Sequence, residues 1–155
     1  MSLQWNNLKQ KPYVLNFTKA LEKKLFQCER VDFEVQNKSG NIIISFNSGA
    51  YELVKSLLSD FYHHHPNFFV EITEQVDKSN NNVGCLLKIC DSTSRGAKGR
   101  HLYTVNMYHT TSRMMINGQF RQKFIKNDLP MIQTIICNYK DEIVSNNNVI
   151  KLSFL

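Results

Sequence analysis

The chain has 155 residues, 42% of them hydrophobic and 21% charged, with only three Pro and six Gly. This length and mix suit a single domain over 1–155 with its own core, and they exclude a disordered or low-complexity chain. A formal charge of +6 favours polyanionic partners by long-range attraction and does not bear on fold.

Residues 1–12 read as a polar lead-in ending at Pro12. From Tyr13 to Cys28, the positions Val14, Phe17, Leu21, Leu25 and Cys28 recur at steps of three and four. That spacing predicts an amphipathic helix with Lys19, Glu22, Lys23 and Gln27 facing out. Val31, Phe33 and Val35 alternate with Asp32, Glu34 and Gln36, as a half-buried strand does. A two-residue turn at Ser39-Gly40 then returns a strand from Asn41 to Phe46, setting Val35 against Ile44 and Phe33 against Phe46. Ser48 is the expected N-cap of a helix from Gly49 to Tyr62, with a stripe of Leu53, Val54, Leu57, Leu58 and Phe61.

Phe68, Val70 and Ile72 mark a third strand, and Asp77 to Asn82 a turn. Gly84 to Asp91 is a fourth, apolar and central strand, and Ser92 to Arg100 a mobile basic loop. A hairpin over Tyr103 to Gly118 follows, then a short helix over Gly118 to Lys126. Asn127 or Asp128 caps a longer helix, with Pro130 tolerated in its first turn. Ser145-Asn146-Asn147-Asn148 is expected to break the chain, and Val149 to Phe154 to add an edge strand. The pattern predicts an α+β domain, an antiparallel sheet with helices packed on one face. Val31–Leu58 and Tyr103–Ile136 share the order strand, turn, strand, helix.

The second hairpin has two unlike faces. With Thr111-Ser112 as its turn, Tyr108 faces Met115 and Asn106 faces Asn117, on the side shared by Thr104 and Arg113. The other side carries Val105, Met107, His109, Met114 and Ile116, and should meet the helices. Asn side chains both donate and accept, Tyr stacks on bases, and Arg reaches phosphates. Ser92 to Asn127 holds seven Lys or Arg residues and no Asp or Glu. The matching face of the first hairpin carries Asp32, Glu34 and Gln36, so a polyanion favours the second half.

Other chemistries find little support. Adjacent helical residues point about 100° apart, so His63-His64-His65 cannot converge on one metal. Asp60 and His64 share a face but need further ligands, such as His101 or His109, to hold zinc. Four cysteines form no CxxC, and Cys85 and Cys90 fall on opposite faces of a strand. Thr93 to Arg100 lacks the GxxxxGK[ST] spacing of a phosphate loop. No metal and no cofactor is expected. The N-terminus lacks the apolar stretch of a secretory signal, and no apolar run approaches the roughly 18 residues that span a bilayer. A cytoplasmic or nuclear protein, off the membrane, is the expectation.

The run Tyr103-Thr104-Val105-Asn106-Met107-Tyr108-His109-Thr110-Thr111-Ser112-Arg113-Met114-Met115-Ile116-Asn117-Gly118 resembles the hairpin of TATA-box-binding-protein-like (helix-grip) domains. The substrate-binding N-terminal domain of type III bacterial ribonuclease H is similar. So are open reading frames of invertebrate mobile elements, a likeness that extends through Phe124, Leu129, Pro130 and Ile132. The resemblance implies a curved antiparallel sheet with helices on its convex side, nucleic acid on its concave side, and Asn106 and Asn117 nearest the bound strand. The paired phenylalanines that wedge DNA steps in the TATA-binding family have no evident counterpart, so a bent duplex is not implied.

The sequence thus points to a non-enzymatic nucleic-acid-binding domain, DNA or RNA, as in a mobile-element protein. Arg95, Lys98 and Arg100 of the loop, with Arg113, Arg121 and Lys123, are the expected phosphate contacts. Asn106, Tyr108 and Asn117 are expected at bases or sugars. The alternative is a protein-interaction or homo-oligomerisation module in which Phe69, Leu86 and Met115 on the same face form a partner patch. A hydrolase or nuclease would need clustered carboxylates, whereas Asp60, Glu71, Glu74, Asp77 and Asp91 are scattered.

Overall fold

The computed structural model describes residues 18–30 and 33–154, with side chains for 22–30 and 33–153. The lead-in 1–12, the expected helix positions Val14 and Phe17, and the strand positions Val31 and Asp32 lie outside the described residues.

Six strands form one curved, fully antiparallel sheet. They are β1 (Glu34–Lys38), β2 (Asn41–Ser45), β3 (Phe68–Val76), β4 (Asn82–Ser92), β5 (Lys98–Tyr108) and β6 (Arg113–Asn117). Their order is β1-β2-β6-β5-β4-β3, so the two hairpins that share a sequence pattern lie side by side, joined by β2 and β6. The helices are α1 (Thr18–Gln27), α2 (Ser48–His64), α3 (Leu129–Asn138) and α4 (Lys140–Phe154).

The core lies between one sheet face and the helices. Ile42, Ile44, Met114, Ile116, Val105, Met107, Leu87 and Ile89 meet Leu53, Val54, Leu57 and Leu58 of α2, with Phe124, Ile132 and Ile135 alongside. Each such side chain removed from water stabilises the fold by about 1.5–3 kcal/mol. Tyr62 is fully buried and its expected neighbour Phe61 only partly, a rotation that aims the Tyr62 hydroxyl inward.

The first hairpin has the expected register. Ser39 and Gly40 take φ of 55° and 80°, as a tight primed turn requires, and Val35 pairs with Ile44. Phe33 stacks on Phe46 with ring centroids 6.1 Å apart. The second hairpin departs from its expected register by two residues. Its turn is His109-Thr110-Thr111-Ser112, with Ser112 at φ 56°, so Tyr108 pairs with Arg113, Asn106 with Met115 and Thr104 with Asn117. The face assignments survive because a shift of two preserves side-chain alternation.

Further expectations are corrected. Asn47, not Ser48, caps α2: its side-chain oxygen accepts from the Gly49 and Ala50 N–H groups, at 2.9 and 3.4 Å. Lys98 and Arg100 belong to β5, because β4 and β5 pair out to Ser92 and Lys98 and leave only Thr93 to Ala97 as a turn. Gly118 to Lys126 is not a helix along its length. Turns lead instead into one π-helical turn, Phe124–Asp128; Asp128 stands at the N-cap position of α3, as expected, but its side chain makes no cap hydrogen bond and points into the core.

Finally, Ser145 to Asn148 does not break the chain and Val149 to Phe154 is not a strand; both lie in α4. Asn disfavours helices because its amide competes for backbone groups. Here the amides are engaged elsewhere. Buried Asn147 accepts from the Gly49 N–H at 2.7 Å and donates to the Asn47 side-chain oxygen at 2.7 Å, while Asn146 donates to the Gly49 carbonyl at 3.2 Å.

Candidate nucleic-acid interface

The β5–β6 hairpin is tied to the helix layer at its turn. The Phe46 N–H donates to the Ser112 carbonyl at 3.0 Å, and the Ser112 and Ser48 hydroxyls are 2.9 Å apart in the interior. The Tyr51 hydroxyl and His109 Nδ1 are 2.7 Å apart. Burial, then the charge of Lys55, pushes the His109 pKa down to about 3, so the ring is neutral at pH 7. Beneath it, Lys24 is fully buried 3.1 Å from Glu52 and 4.1 Å from the Tyr51 ring centre. Burial lowers the Lys24 pKa to about 8 despite Glu52. For Glu52, burial is outweighed by Lys24 and Lys55, which hold the carboxyl down to about 2.

At its other end the hairpin leaves the sheet through Gly118, at φ 135°, where a Cβ would stand 2.6 Å from the Tyr103 Cα. Only glycine permits that approach. It brings the following segment over Tyr103, whose hydroxyl, like that of Tyr62, donates to Asp128 at 2.5 Å. Burial raises the Asp128 pKa against the pull of those two hydroxyls.

The sheet face turned away from the helices is not covered among the described residues, and its strand register sorts its side chains into transverse rows. Directly paired residues share a face. One row runs Gln36, Ile43, Met115, Asn106, Leu86 and Thr73 across all six strands. The next, towards the β1–β2 turn, holds Lys38 and Asn41, then Asn117, Thr104, Lys88 and Glu71. The row on the far side holds Glu34, Ser45, Arg113, Tyr108, Gly84 and Gln75.

Four of the predicted site residues therefore share this face: Asn106, Tyr108, Arg113 and Asn117. Asn106 is 9% exposed and its side chain donates to the Met115 carbonyl at 2.9 Å, so it braces the two strands. Arg113 is exposed beside half-buried Tyr108. Lys98 reaches the same face, where it pairs with Glu71 at 2.5 Å. Arg95 lies exposed in the β4–β5 turn.

The other three form a second group at the end of the sheet nearest the β1–β2 turn. Arg100 pairs with Asp91 at 3.4 Å and lies 4.2 Å from the Phe120 ring centre; the Lys123 ammonium is 5.8 Å from that centre. Arg121 donates to the Gly118 carbonyl at 3.1 Å and sits next to Gly40, while its Nε is buried without a hydrogen-bond partner among the described residues.

Sequence reading overlooked Lys38 and Lys88, which the register brings onto the open face. Neither has a carboxylate partner within ion-pair distance among the described residues. Strand parity could have found Lys88, which stands between the inward-facing Leu87 and Ile89. Lys38 needed the turn type as well.

The histidines have local roles. His64 bonds the Asp60 carbonyl at 2.9 Å, His65 lies against Phe68 at 4.7 Å, and His101 bonds Thr104 at 2.9 Å. No group of three His, Cys, Asp or Glu side chains among the described residues is arranged to hold a metal ion. Cys85 and Cys90 are buried on opposite faces of β4, and burial raises the Cys85 thiol to about 11. Among the described residues, no helix is long and apolar enough to cross a membrane.

Comparison with protein-family models, curated proteins and solved structures gives no match to this chain.

Proposed function

We propose that this protein binds nucleic acid through the open face of its sheet and the basic groups at the end of that face, without catalysing a reaction. The observation that carries the reading is the lopsided charge. Lys38, Lys88, Lys98, Arg100, Arg121 and Lys123 gather towards the end of the sheet marked by the β1–β2 turn, against Glu71 and Asp91. At the opposite end Arg113 is offset by Glu34, which stands in the same row. A one-sided cationic surface beside an uncovered face with amide, aromatic and aliphatic side chains suits a phosphate backbone and its bases. Filter binding of single-stranded and duplex oligonucleotides at two salt concentrations tests the proposal. Binding that weakens steeply with salt is expected, and no binding at low salt overturns it.

The second reading, a protein-interaction or self-association surface, is favoured by the half-buried aliphatic side chains Ile43, Met115 and Leu86 in the middle of the same face. It predicts a mass that rises with protein concentration in the ultracentrifuge and does not respond to oligonucleotide.

A further inference from the structure

We infer that the nucleic acid is single-stranded and crosses the strands at right angles, its phosphates along the Lys38–Lys88 row and its bases on the Ile43–Met115–Leu86 row. The inference rests on the proposed nucleic-acid reading and specifies its substrate class.

Three observations carry it. First, charge and grease are separated by register: the row with Lys38 and Lys88, whose Glu71 is paired by Lys98, lies next to and parallel with the row that has Ile43, Met115 and Leu86 at its middle, both perpendicular to the strands. A single strand has that division, a charged backbone along one side and flat apolar bases along the other. A duplex hides its base faces and offers a broad protein surface only sugar and phosphate.

Second, the helices that pack on the sheet cover its other face. Reading a duplex from the major groove takes an inserted helix or two-stranded ribbon. Here the helices pack on the opposite face, and the β5–β6 turn is held to α2 through Tyr51 and Ser48. Third, the dimensions agree. Six strands at about 4.8 Å spacing give a row about 24 Å long, enough for roughly four to seven nucleotides between extended and stacked spacing. Tyr108, one row further on, is placed for a base that reaches past Met115.

The test is fluorescence anisotropy with a labelled single-stranded oligonucleotide, a duplex of the same sequence and a length series of single strands, on the full chain. The single strand should bind at least about tenfold more tightly than the duplex, with affinity levelling off once the row is filled. Ile43→Thr and, separately, Met115→Gln keep the strand backbone and remove the apolar platform. Each should weaken single-strand binding about tenfold or more and leave duplex binding unchanged. Lys38→Gln with Lys88→Gln should reduce the salt slope for single strands by about 1.4, at about 0.7 per phosphate contact. Duplex bound as well as or better than single strand, or platform variants that weaken both equally, would overturn the inference and leave the nucleic-acid reading intact. Neither ligand bound at low salt would overturn that reading itself.

Discussion

The two hairpins joined through β2 and β6 follow the same plan, strand, turn, strand, helix, yet they are built differently. The first turns in two residues, with positive φ at both Ser39 and Gly40, and its strand β1 is exposed throughout. It feeds α2 directly, through the Asn47 cap. The second turns in four residues, has its turn secured to α2, and reaches α3 only after Gly118, a looping segment and a π-helical turn. The detour carries basic residues around the end of the sheet and delivers Asp128 to Tyr62 and Tyr103. A shared sequence rhythm therefore set which faces are apolar, while turn length and the exit from the second strand set what each hairpin could carry.

The sharpest test of that difference is a pair of glycines. Gly118→Ala should cost about 3 kcal/mol, measured by urea unfolding, because the new methyl meets the Tyr103 backbone at 2.6 Å. Gly40→Ala meets only the far end of Arg121 at 3.5 Å and should cost about 1 kcal/mol, chiefly from its positive φ. Equal costs would remove the claim that the second hairpin depends on a close exit.

Between those limits lie the two helix entries. Asn47→Ala removes a cap and the bonds its amide donates to the Cys28 and Arg30 carbonyls, and should cost about 2 kcal/mol. Asp128→Ala strips the shared acceptor from two buried phenols and should cost a similar amount, about 2 kcal/mol. If Asp128→Ala were neutral while Asn47→Ala was not, the detour would have no part in holding the sheet to its helices.

A further test lies in pH dependence. His109 has a folded pKa of about 3, below its ordinary value of 6.5, so the unfolded chain takes up the proton first on acidification. The stability linked to neutral His109 is present above pH 6.5 and declines as pH falls through the window from 6.5 towards 3. Urea midpoints at pH 7, 6 and 5 should therefore fall in the parent protein. In His109→Gln the fall should be shallower over that range, which lies above the region where Glu52 titrates. An unchanged pH slope in the variant would show that the Tyr51 contact does not hold the second turn.

Alternation of apolar and polar residues over Val35, Met107, Met114 and Ile116 was enough to assign faces, and it tolerated a register error of two. Seven cations without a carboxylate between Ser92 and Asn127 marked the basic half of the chain. The burial of Lys24 was not legible, because nothing local distinguishes it from Lys23; only Glu52 and the Tyr51 ring, brought in by α2, make its interior position tolerable. The asparagine run of α4 misled for the same reason, since its amides bond a helix that begins about a hundred residues earlier.

By itself the sequence determined the α+β class, the inner and outer faces of the strands, and the basic second half, because each follows from the spacing of nearby side chains. Only tertiary structure decided the neighbours. It put β2 beside β6, brought Lys38 and Lys88 into one row with Asn117, laid an aliphatic row next to it, and matched Arg100 and Lys98 with Asp91 and Glu71. Those pairings join residues far apart in the chain, and strand order and register, which local spacing does not encode, select them.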